Sequence, residues 1–568
     1  MFSDKTNINI LTSLLLKHEV MTAVVCPGSR NAPIVHNMHA AGIECHPVTD
    51  ERSAGFYALG MAMAKGEPVA VCVTSGSAVL NLAPAVAEAY YQHCPLVIIS
   101  ADRPLERIDQ LDAQTLPQQN ALGRFVSMSV SLPEPTDKTS HTHCNRLVNE
   151  ALIEVRRAPS IPVHINVPIS EPLFNFTTER LPEERVIGFG FGLGIGSELS
   201  NSSRPMIVIG KAPQPPEGGA GFGSGSEPGL KGQSQSQLPP WGDEGLGSGS
   251  KVKIDEFIRT MERQYVVLYE PLSCSFGGVP YDDVLKTIGD NTDYMPDFIL
   301  YIGGIIVSKR LKNFLRNAPD AETWAIPADG KVHDTFQNLT TVIDEPIESV
   351  LAEILSSQVT PSPAAQQFKA LWDKALSEVS PSPVAAFSEE AAVKMLEAAI
   401  GDGKDCHVHY ANSTAVRLGC RYAKHYIHVN RGVNGIEGSL STAAGFSLCH
   451  KEKTFCVIGD LSFFYDSNAL WNTEIDGRLR ILLLNNGGGA IFKTLPGLEK
   501  SEARGKYVMA EHSTSAEGIC KSHNITYIEA TDAESLKQGI EQLVNSESER
   551  PVILSLTPNP SPSGEGSN

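Results

Sequence analysis

The sequence predicts an α/β protein of three domains, each a mostly parallel sheet flanked by helices. Three observations predict it. Near the N-terminus, short β-branched runs alternate with Ala-rich helical segments as a repeated strand–loop–helix pattern. Residues 454–496, TFCVIGDLSFFYDSNALWNTEIDGRLRILLLNNGGGAIFKTLP, form a β-α-β pattern, which implies parallel strands. The length, 568 residues, exceeds what one hydrophobic core supports.

In order, residues 7–17 carry Ile8, Leu11, Leu14 and Leu15 at helical spacing. Ala23–Cys26 is a short strand ending in Pro27-Gly28-Ser29-Arg30. An Arg at a strand's end can fork onto a carboxylate, although such a turn is also ordinary surface. His46–Thr49 leads into Asp50-Glu51-Arg52 and the Ala/Gly-rich helix Ser53–Lys65. The helix dipole by itself favours an acid at Glu51. Val69–Val73 is a strand, and Thr74-Ser75-Gly76-Ser77 opens the next helix with capping hydroxyls and free N–H groups suited to an anion. Leu96–Ser100 ends in Ala101-Asp102-Arg103-Pro104, and Val163–Val167 closes a first domain over residues 1–180.

A central domain over 181–360 has strands at Met206–Ile209, Tyr265–Leu268 and Phe298–Ile302. Within it, residues 213–250 are mostly Gly, Ser, Pro and Gln, too poor in apolar surface to offset ordering entropy, and are expected to be disordered. Ser308-Lys309-Arg310 opens a helix, where the basic pair reads equally well as solvated surface. Pro/Ser-rich stretches at 359–363 and 380–383 mark a linker, and a third domain occupies 375–558. It begins in a helix at Ser388, followed by strand Cys406–Tyr410 and a helix opened by Asn412-Ser413. Ser413 and Arg417 share one face of that helix. Then come a small-residue helix over Gly438–Cys449, strand Phe455–Ile458, a crossover helix over Phe464–Ile475 and strand Ile481–Leu484. Val552–Leu556 is the last strand, and 559–568 is a loose tail.

The formal charge is −19, with 46 Lys and Arg against 65 Asp and Glu, which argues against a broad nucleic-acid surface. An anionic substrate must then be met by a local cluster of cations. The 11 cysteines show no CxxC pair, and Cys26, Cys72 and Cys456 sit in apolar runs as small core residues. No secretory leader or membrane-length apolar run is visible, so a soluble cytoplasmic protein is expected. No GxGxxG opens a helix after a strand, which disfavours a dinucleotide enzyme.

Parallel strands ending at Gly459 and Leu484 would present the Asp460 carboxylate and the Asn486 carbonyl on one sheet edge, beside glycines 487–489. These hard oxygen donors suit Mg²⁺, which shares its shell with substrate phosphates, and glycine lets backbone approach a phosphate closely. The plainer alternative is a βαβ unit with a polar turn.

The pairing of GD at 459–460 with NN at 485–486 resembles the diphosphate–Mg²⁺ motif of thiamine diphosphate enzymes. Six strings narrow this: PGSR at 27–30, TDER at 49–52, TSGSAVLNLAPAV at 74–86, ADRP at 101–104, NRGVNGIEGSLSTAAG at 430–445 and GDLSFFYD at 459–466. Together they resemble the 2-succinyl-5-enolpyruvyl-6-hydroxy-3-cyclohexene-1-carboxylate synthase family of menaquinone biosynthesis. The resemblance covers both outer domains well and the central one weakly.

The resemblance implies thiamine diphosphate with Mg²⁺, or Mn²⁺ in its place, bound by Asp460, Asn486 and the carbonyl of Gly488. It implies Glu51 as the acid that hydrogen-bonds the aminopyrimidine and drives formation of the reactive ylide. Ser75, Gly76, Asn412, Gly435, Ile436, Gly459, Leu461, Ser462, Gly489 and Ile491 complete the implied cofactor contacts. The implied substrates, 2-oxoglutarate and isochorismate, are both acids. Ser29, Arg30, Arg103, Gln114, Lys309, Arg310, Ser413, Arg417 and Arg431 are the candidates to hold them. Ile491, Phe492 and Leu495 would form an apolar wall and Ile436 would support the bent cofactor; core packing is the alternative for all four. In this superfamily the cofactor lies between two subunits, which implies a homodimer, with a homotetramer as the extension.

Gly487 stands where the family often has a third asparagine, Asn31 where a hydroxyl residue is usual, and Glu437 where Asp is usual. The competing readings are another thiamine diphosphate carboligase or 2-oxo acid decarboxylase, and a non-catalytic protein on the same fold. The arginine-rich candidate site argues against small monocarboxylates as sole substrates. Retention of Glu51, Asp460 and Asn486 together argues against a dead site.

Overall fold

The computed structural model describes residues 1–187, 248–343, 345–356, 360–379, 383–494 and 497–557. It contains three sheets, parallel throughout. The first uses β1 (Thr22–Val25), β2 (Glu44–Pro47), β3 (Val69–Val73), β4 (Leu96–Asp102), β5 (Met128–Ser131) and β6 (Val163–Pro168), in the spatial order β2-β1-β3-β4-β6-β5. The second, β7 (Phe298–Ile302), β8 (Glu322–Ile326) and β9 (Leu339–Val342), runs β9-β8-β7. The third uses β10 (Cys406–Tyr410), β11 (Lys453–Gly459), β12 (Leu479–Leu484), β13 (Thr526–Ala530) and β14 (Val552–Leu556), ordered β10-β11-β12-β14-β13. Every residue of β3, β4, β12 and β14 is buried, as parallel strands covered on both faces require.

Helix Glu51–Lys65 starts where the Asp50 side chain accepts from the Ser53 amide at 2.9 Å, and stops at Gly66 in the left-handed region. Its partner across the molecule is helix Ser439–Ser447, all nine residues of which are buried. The two cross with no room for a side chain: a Cβ on Gly60 would lie 2.1 Å from the Thr442 carbonyl oxygen, and one on Gly445 would lie 2.3 Å from the Tyr57 carbonyl oxygen. One hydrophobic core therefore runs from Val71 and Val73 of the first sheet to Val457 and Leu482 of the third. The Tyr57 hydroxyl, donating to the Ala469 carbonyl at 2.7 Å, and Arg52, donating to the Tyr465 carbonyl at 2.8 Å, add polar ties along the same seam. The far face of the first sheet has its own core of Ile8, Leu11, Val97, Ile165 and neighbours.

Two sequence expectations are corrected. Tyr265–Leu268 forms no strand; it is irregular chain after helix Ser248–Met261, and only Val266 and Leu268 of it pack on the small central core. The crossover between β11 and β12 is not a helix over Phe464–Ile475. It is the short helix Asp460–Tyr465 and a 3₁₀ turn over Ser467–Trp471, broken where Asp466 turns back to accept from the Ser441 amide and hydroxyl at 2.7 Å each. The expected strand Met206–Ile209, residues 213–247 of the expected insert and the tail 559–568 lie outside the described residues, while 248–250 open helix Ser248–Met261. All eleven cysteines are free. No described helix is long and apolar enough to cross a membrane.

Gly60→Ala pushes a methyl into backbone and is expected to cost about 1–3 kcal/mol, read as a lower thermal midpoint. Gly518→Ala is the matched control. That glycine lies in helix Glu517–Ser522, and a Cβ there would meet nothing within 4 Å, so no loss is expected. Equal midpoints for both variants would show that the crossing has slack.

Candidate active site

β11 and β12 pair with Gly459 opposite Leu484, so Asp460 and Asn485 leave the sheet side by side at its C-terminal edge. Asp460 is the first residue of helix Asp460–Tyr465 and is only 2% exposed. Its Oδ1 accepts from the Leu461 amide at 2.7 Å and its Oδ2 from the Gly488 amide at 2.8 Å, with His512 Nε2 3.3 Å from Oδ2. Gly488 holds φ +144°, and a Cβ there would meet the Met509 carbonyl at 2.8 Å, so only glycine fits. Asn486 donates through Nδ2 to Glu389 Oε1 at 2.5 Å. Its Oδ1 is buried and has no hydrogen-bond partner among the described residues. An orphaned amide oxygen costs about 1–3 kcal/mol. It is also the donor a hard cation takes up, so Asp460 and Asn486 fit a divalent ion. Burial pushes the Glu389 carboxyl above its usual range; the Asn486 bond opposes this and the Asp460 charge adds to it.

The neighbouring loop is tied by Asn412, whose Nδ2 donates to the carbonyls of Asn430 at 2.7 Å and Gly435 at 2.8 Å. Asn412 Oδ1 accepts from Arg431 Nη1 at 3.1 Å, and the Ser462 hydroxyl donates to the Ile436 carbonyl. Ile436 itself is 45% exposed, an unusual position for a bulky apolar side chain beside a polar loop. Ser413 adopts φ +76°, a left-handed strain of about 1–3 kcal/mol of the kind found at functional sites. Arg417 Nη1 donates to the Ser413 carbonyl at 3.3 Å. Burial holds the Arg431 guanidinium below its usual range; Glu270 opposes this and Arg417 acts with it.

The first sheet contributes a second group. Glu51 opens its helix, half-buried, and no hydrogen bond or ion pair among the described residues engages its carboxylate. Ser29 is exposed, whereas Arg30 is buried and donates to the Ile169 carbonyl at 2.9 Å and Glu171 Oε1 at 2.7 Å. Arg103 Nε donates to the Ala113 carbonyl at 3.0 Å. Gln114 is exposed with φ +55°, and its backbone lies over Gly76, where a Cβ would come within 3.2 Å. Buried Ser75 and Gly76 are held by Gln118, whose Oε1 accepts from the Gly76 amide at 2.6 Å. Gln118 Nε2 donates to Asn166 Oδ1 at 2.8 Å, and Asn166 Oδ1 also accepts from Ser100, whose hydroxyl lies 2.7 Å from His164 Nε2.

From the central sheet, Lys309 is exposed and Arg310 pairs with Asp282 at 3.1 Å. Lys312, three residues on and half-buried, is the cation on which Arg431 acts; burial first, then the Arg431 charge, pull its ammonium below the usual range. Phe492 covers Gly489, where a Cβ would lie 2.6 Å from the ring, and Ile491 sits half-buried beside it. Leu495 lies outside the described residues.

Sequence reasoning missed Glu389, Gln118, Lys312 and Glu88. Glu88 is 3% exposed and accepts from the amides of Gly432 at 2.8 Å and Val433 at 2.6 Å, fastening the first-sheet helix Ala83–Gln92 to the Asn412 loop. A lone carboxylate inside the apolar run AVAEAYY is the sequence signal by which it could have been found.

Residues 6–122 match the model of the thiamine pyrophosphate enzyme N-terminal TPP binding domain, and 406–556 that of the C-terminal TPP binding domain. The chain is 40% identical to a 2-succinyl-5-enolpyruvyl-6-hydroxy-3-cyclohexene-1-carboxylate synthase of Phocaeicola vulgatus, over 98% of this chain and 96% of that one. The same named enzyme of Bacteroides fragilis is 41% identical over 98% and 97%. This chain belongs to that synthase family. It is therefore a thiamine diphosphate enzyme, and its two TPP-binding matches include Glu51 and Asp460. The fold agrees with that of a thiamin diphosphate-dependent enzyme from Mycobacterium smegmatis, with TM-score 0.65, 15% identity and coverage of 98% and 100%. A 4-hydroxybenzoylformate decarboxylase from Rhodococcus jostii gives TM-score 0.62, 17% identity and coverage of 98% and 99%.

Burial holds the His164 imidazole down at about 4, against 6.5 for the free group. Between these values the unfolded chain takes up a proton that the folded chain refuses. Stability is thus full above about pH 6.5 and falls as pH drops through about 4, by about 3 kcal/mol in all. His164→Gln should be less stable at pH 7, with the gap to wild type narrowing by pH 4 in denaturant titrations. A gap that stays constant over that range would refute the titration.

Proposed function

We propose that this enzyme decarboxylates 2-oxoglutarate and adds the resulting succinyl semialdehyde carbanion equivalent to isochorismate, in menaquinone biosynthesis. The product named for the relatives carries a succinyl group on a hydroxycyclohexene carboxylate, which is what 2-oxoglutarate leaves after losing CO₂. The observation that carries the reading is the register of β11 and β12, which sets a buried carboxylate and an orphaned amide oxygen at one sheet edge. Residues 1–180 would grip the pyrimidine, 181–360 form the central domain and 375–558 grip the diphosphate.

Thiamine diphosphate, when bound, supplies the electron sink for loss of CO₂ from a 2-oxo acid. Asp460, Asn486 and the Gly488 carbonyl would hold Mg²⁺ or Mn²⁺ against the diphosphate. Gly459, Leu461, Ser462, Gly489 and Asn412 line the same edge, and Ser75, Gly76, Gly435, Ile436 and Ile491 complete the cofactor's surroundings. Glu51 would hydrogen-bond the aminopyrimidine ring. Its unengaged carboxylate supports that role, because a half-buried acid at a helix start is otherwise satisfied by water alone. Arg417, Arg431 and Ser413 are the best-placed carboxylate ligands, since Arg431 is desolvated and carries a buried Nε without a partner among the described residues. Arg30, Arg103, Gln114, Ser29, Lys309 and Arg310 would complete substrate binding, with Phe492 and Leu495 forming an apolar wall. A homodimer would bring a second copy's edge to Glu51, with a homotetramer as its extension. The cytoplasm is the expected compartment.

The test is CO₂ release from 2-oxoglutarate with thiamine diphosphate and Mg²⁺, with and without isochorismate. Glu51→Gln should lower isochorismate-dependent turnover at least about a hundredfold. Undiminished turnover would remove Glu51 from the chemistry, and release from pyruvate but not 2-oxoglutarate would move the substrate to a different carboligase.

A separate prediction concerns Glu389. By accepting from Asn486 Nδ2 it fixes the amide so that Oδ1 is the free atom. Glu389→Ala should weaken Mn²⁺ binding, followed by electron paramagnetic resonance with thiamine diphosphate present, by about 10–100-fold. Wild-type Mn²⁺ affinity in the variant would count against it.

A further inference from the structure

A cluster unrelated to the cofactor edge lies at the other end of the third sheet. His407 is the second residue of β10, and Glu452 immediately precedes β11. His450 lies in the turn between helix Ser439–Ser447 and β11. One ligand atom from each of His407, His450 and Glu452 lies within 4.8 Å of the others. In a parallel sheet all strands start at one edge and end at the other. The cluster sits at the start of β11 and Asp460 follows its end, seven residues and roughly 20 Å away.

The local sequence explains the convergence. His407 is paired in register with Thr454, and strand alternation places Glu452 on the same face as Thr454. The His450 ring stacks on Phe446 at 4.6 Å and stands 4.4 Å from the His407 ring, so both imidazoles are steered by the same aromatic wall. His450 Nε2 is buried with no hydrogen-bond partner among the described residues. The His450 carbonyl accepts from Arg478, which pins the turn. Glu452 is exposed, and its carboxylate accepts from the neighbouring Lys451 amide at 3.1 Å.

We propose that His407, His450 and Glu452 bind a divalent transition-metal ion, of which Zn²⁺ is the best match. Two imidazoles and one carboxylate are borderline ligands that suit Zn²⁺, Co²⁺ or Ni²⁺ and are poor for Mg²⁺ or Ca²⁺. Metal–ligand bonds near 2.0–2.2 Å require the three atoms to close to roughly 3–4 Å of one another, a movement the exposed Glu452 can supply. The remaining coordination position is left for water. The ion would clip the start of β10 to the turn before β11. His409 and His428 stack at 4.7 Å on the inner side of the same row, and His428 stands two residues before Asn430 of the Asn412 loop.

The experiment uses the full chain without a polyhistidine tag, saturated with thiamine diphosphate and Mg²⁺ so that the cofactor edge is occupied. Co²⁺ is titrated and followed by its visible absorption and by calorimetry, with Zn²⁺ as competitor. One Co²⁺ per chain, displaced by Zn²⁺, is expected. His407→Ala and His450→Ala should each lower affinity at least about tenfold, and Glu452→Gln should lower it measurably. Absence of micromolar Co²⁺ binding in wild type, or binding that none of the three variants weakens, would overturn the assignment. Glu452 is exposed, so Glu452→Gln tests the site even where an imidazole variant folds poorly.

Discussion

The molecule depends on one contact between two helices that have almost no side chains at their crossing. Gly60 and Gly445 let backbone meet backbone, and the first and third sheets become two walls of one core. Close approach of this kind is costly in water only if polar groups are stranded. Here the polar ties flank the crossing: Tyr57 reaches the Ala469 carbonyl, Arg52 the Tyr465 carbonyl, and Asp50 accepts from Asn468 at 2.7 Å. The helix that begins with Glu51 is thereby fixed against the third sheet, whose strands lead into Asp460 and Asn486. The relation between the first and third sheets within the chain is a matter of packing, not of a flexible linker.

Net acidity and an anionic chemistry coexist because the cations are few and placed. Arg417, Arg431 and Lys312 act on one another through Arg431, around the buried Glu270. Glu270 is itself satisfied by the amides of Val307 and Ser308 and by the Tyr281 hydroxyl, at 2.8, 3.0 and 2.6 Å. A carboxylate so fully bonded stays fixed, and it offsets part of the repulsion among the cations. Lys312 and Glu270 of the central region thus act on Arg431 of the Asn412 loop through charge.

The buried strands were legible because parallel strands covered on both faces are continuous apolar runs; β3, β12 and β14 read directly from Val69–Val73, Ile481–Leu484 and Val552–Leu556. Two of the edge strands were not. β5 is Met-Ser-Val-Ser and β13 is Thr-Tyr-Ile-Glu-Ala, half-polar segments defined only by the neighbour they pair with. Tyr265–Leu268 failed for the opposite reason, since apolar residues suit a strand locally but no ladder forms on them among the described residues. In the site, Asp460 and Asn486 were visible as residues at strand ends. Glu389 was not, because it lies 97 positions from Asn486 in sequence and meets it only after the third sheet closes.

The helix Lys309–Arg316 shows why a motif can name a segment yet leave its acting residue open. Successive residues step about 100° around the axis, so neighbours face different directions. Arg310 finds Asp282 on the central domain, a partner supplied by a separate helix, Tyr281–Ile288. Lys312 is turned instead into the field of Arg431 and Glu270. A pattern of basic residues fixes that a cation belongs on this helix. Asp282, which engages Arg310, also accepts from the Ser308 hydroxyl at the helix start. An acid on a separate helix thus engages one cation of this helix and leaves Lys312 in the field of Arg431 and Glu270.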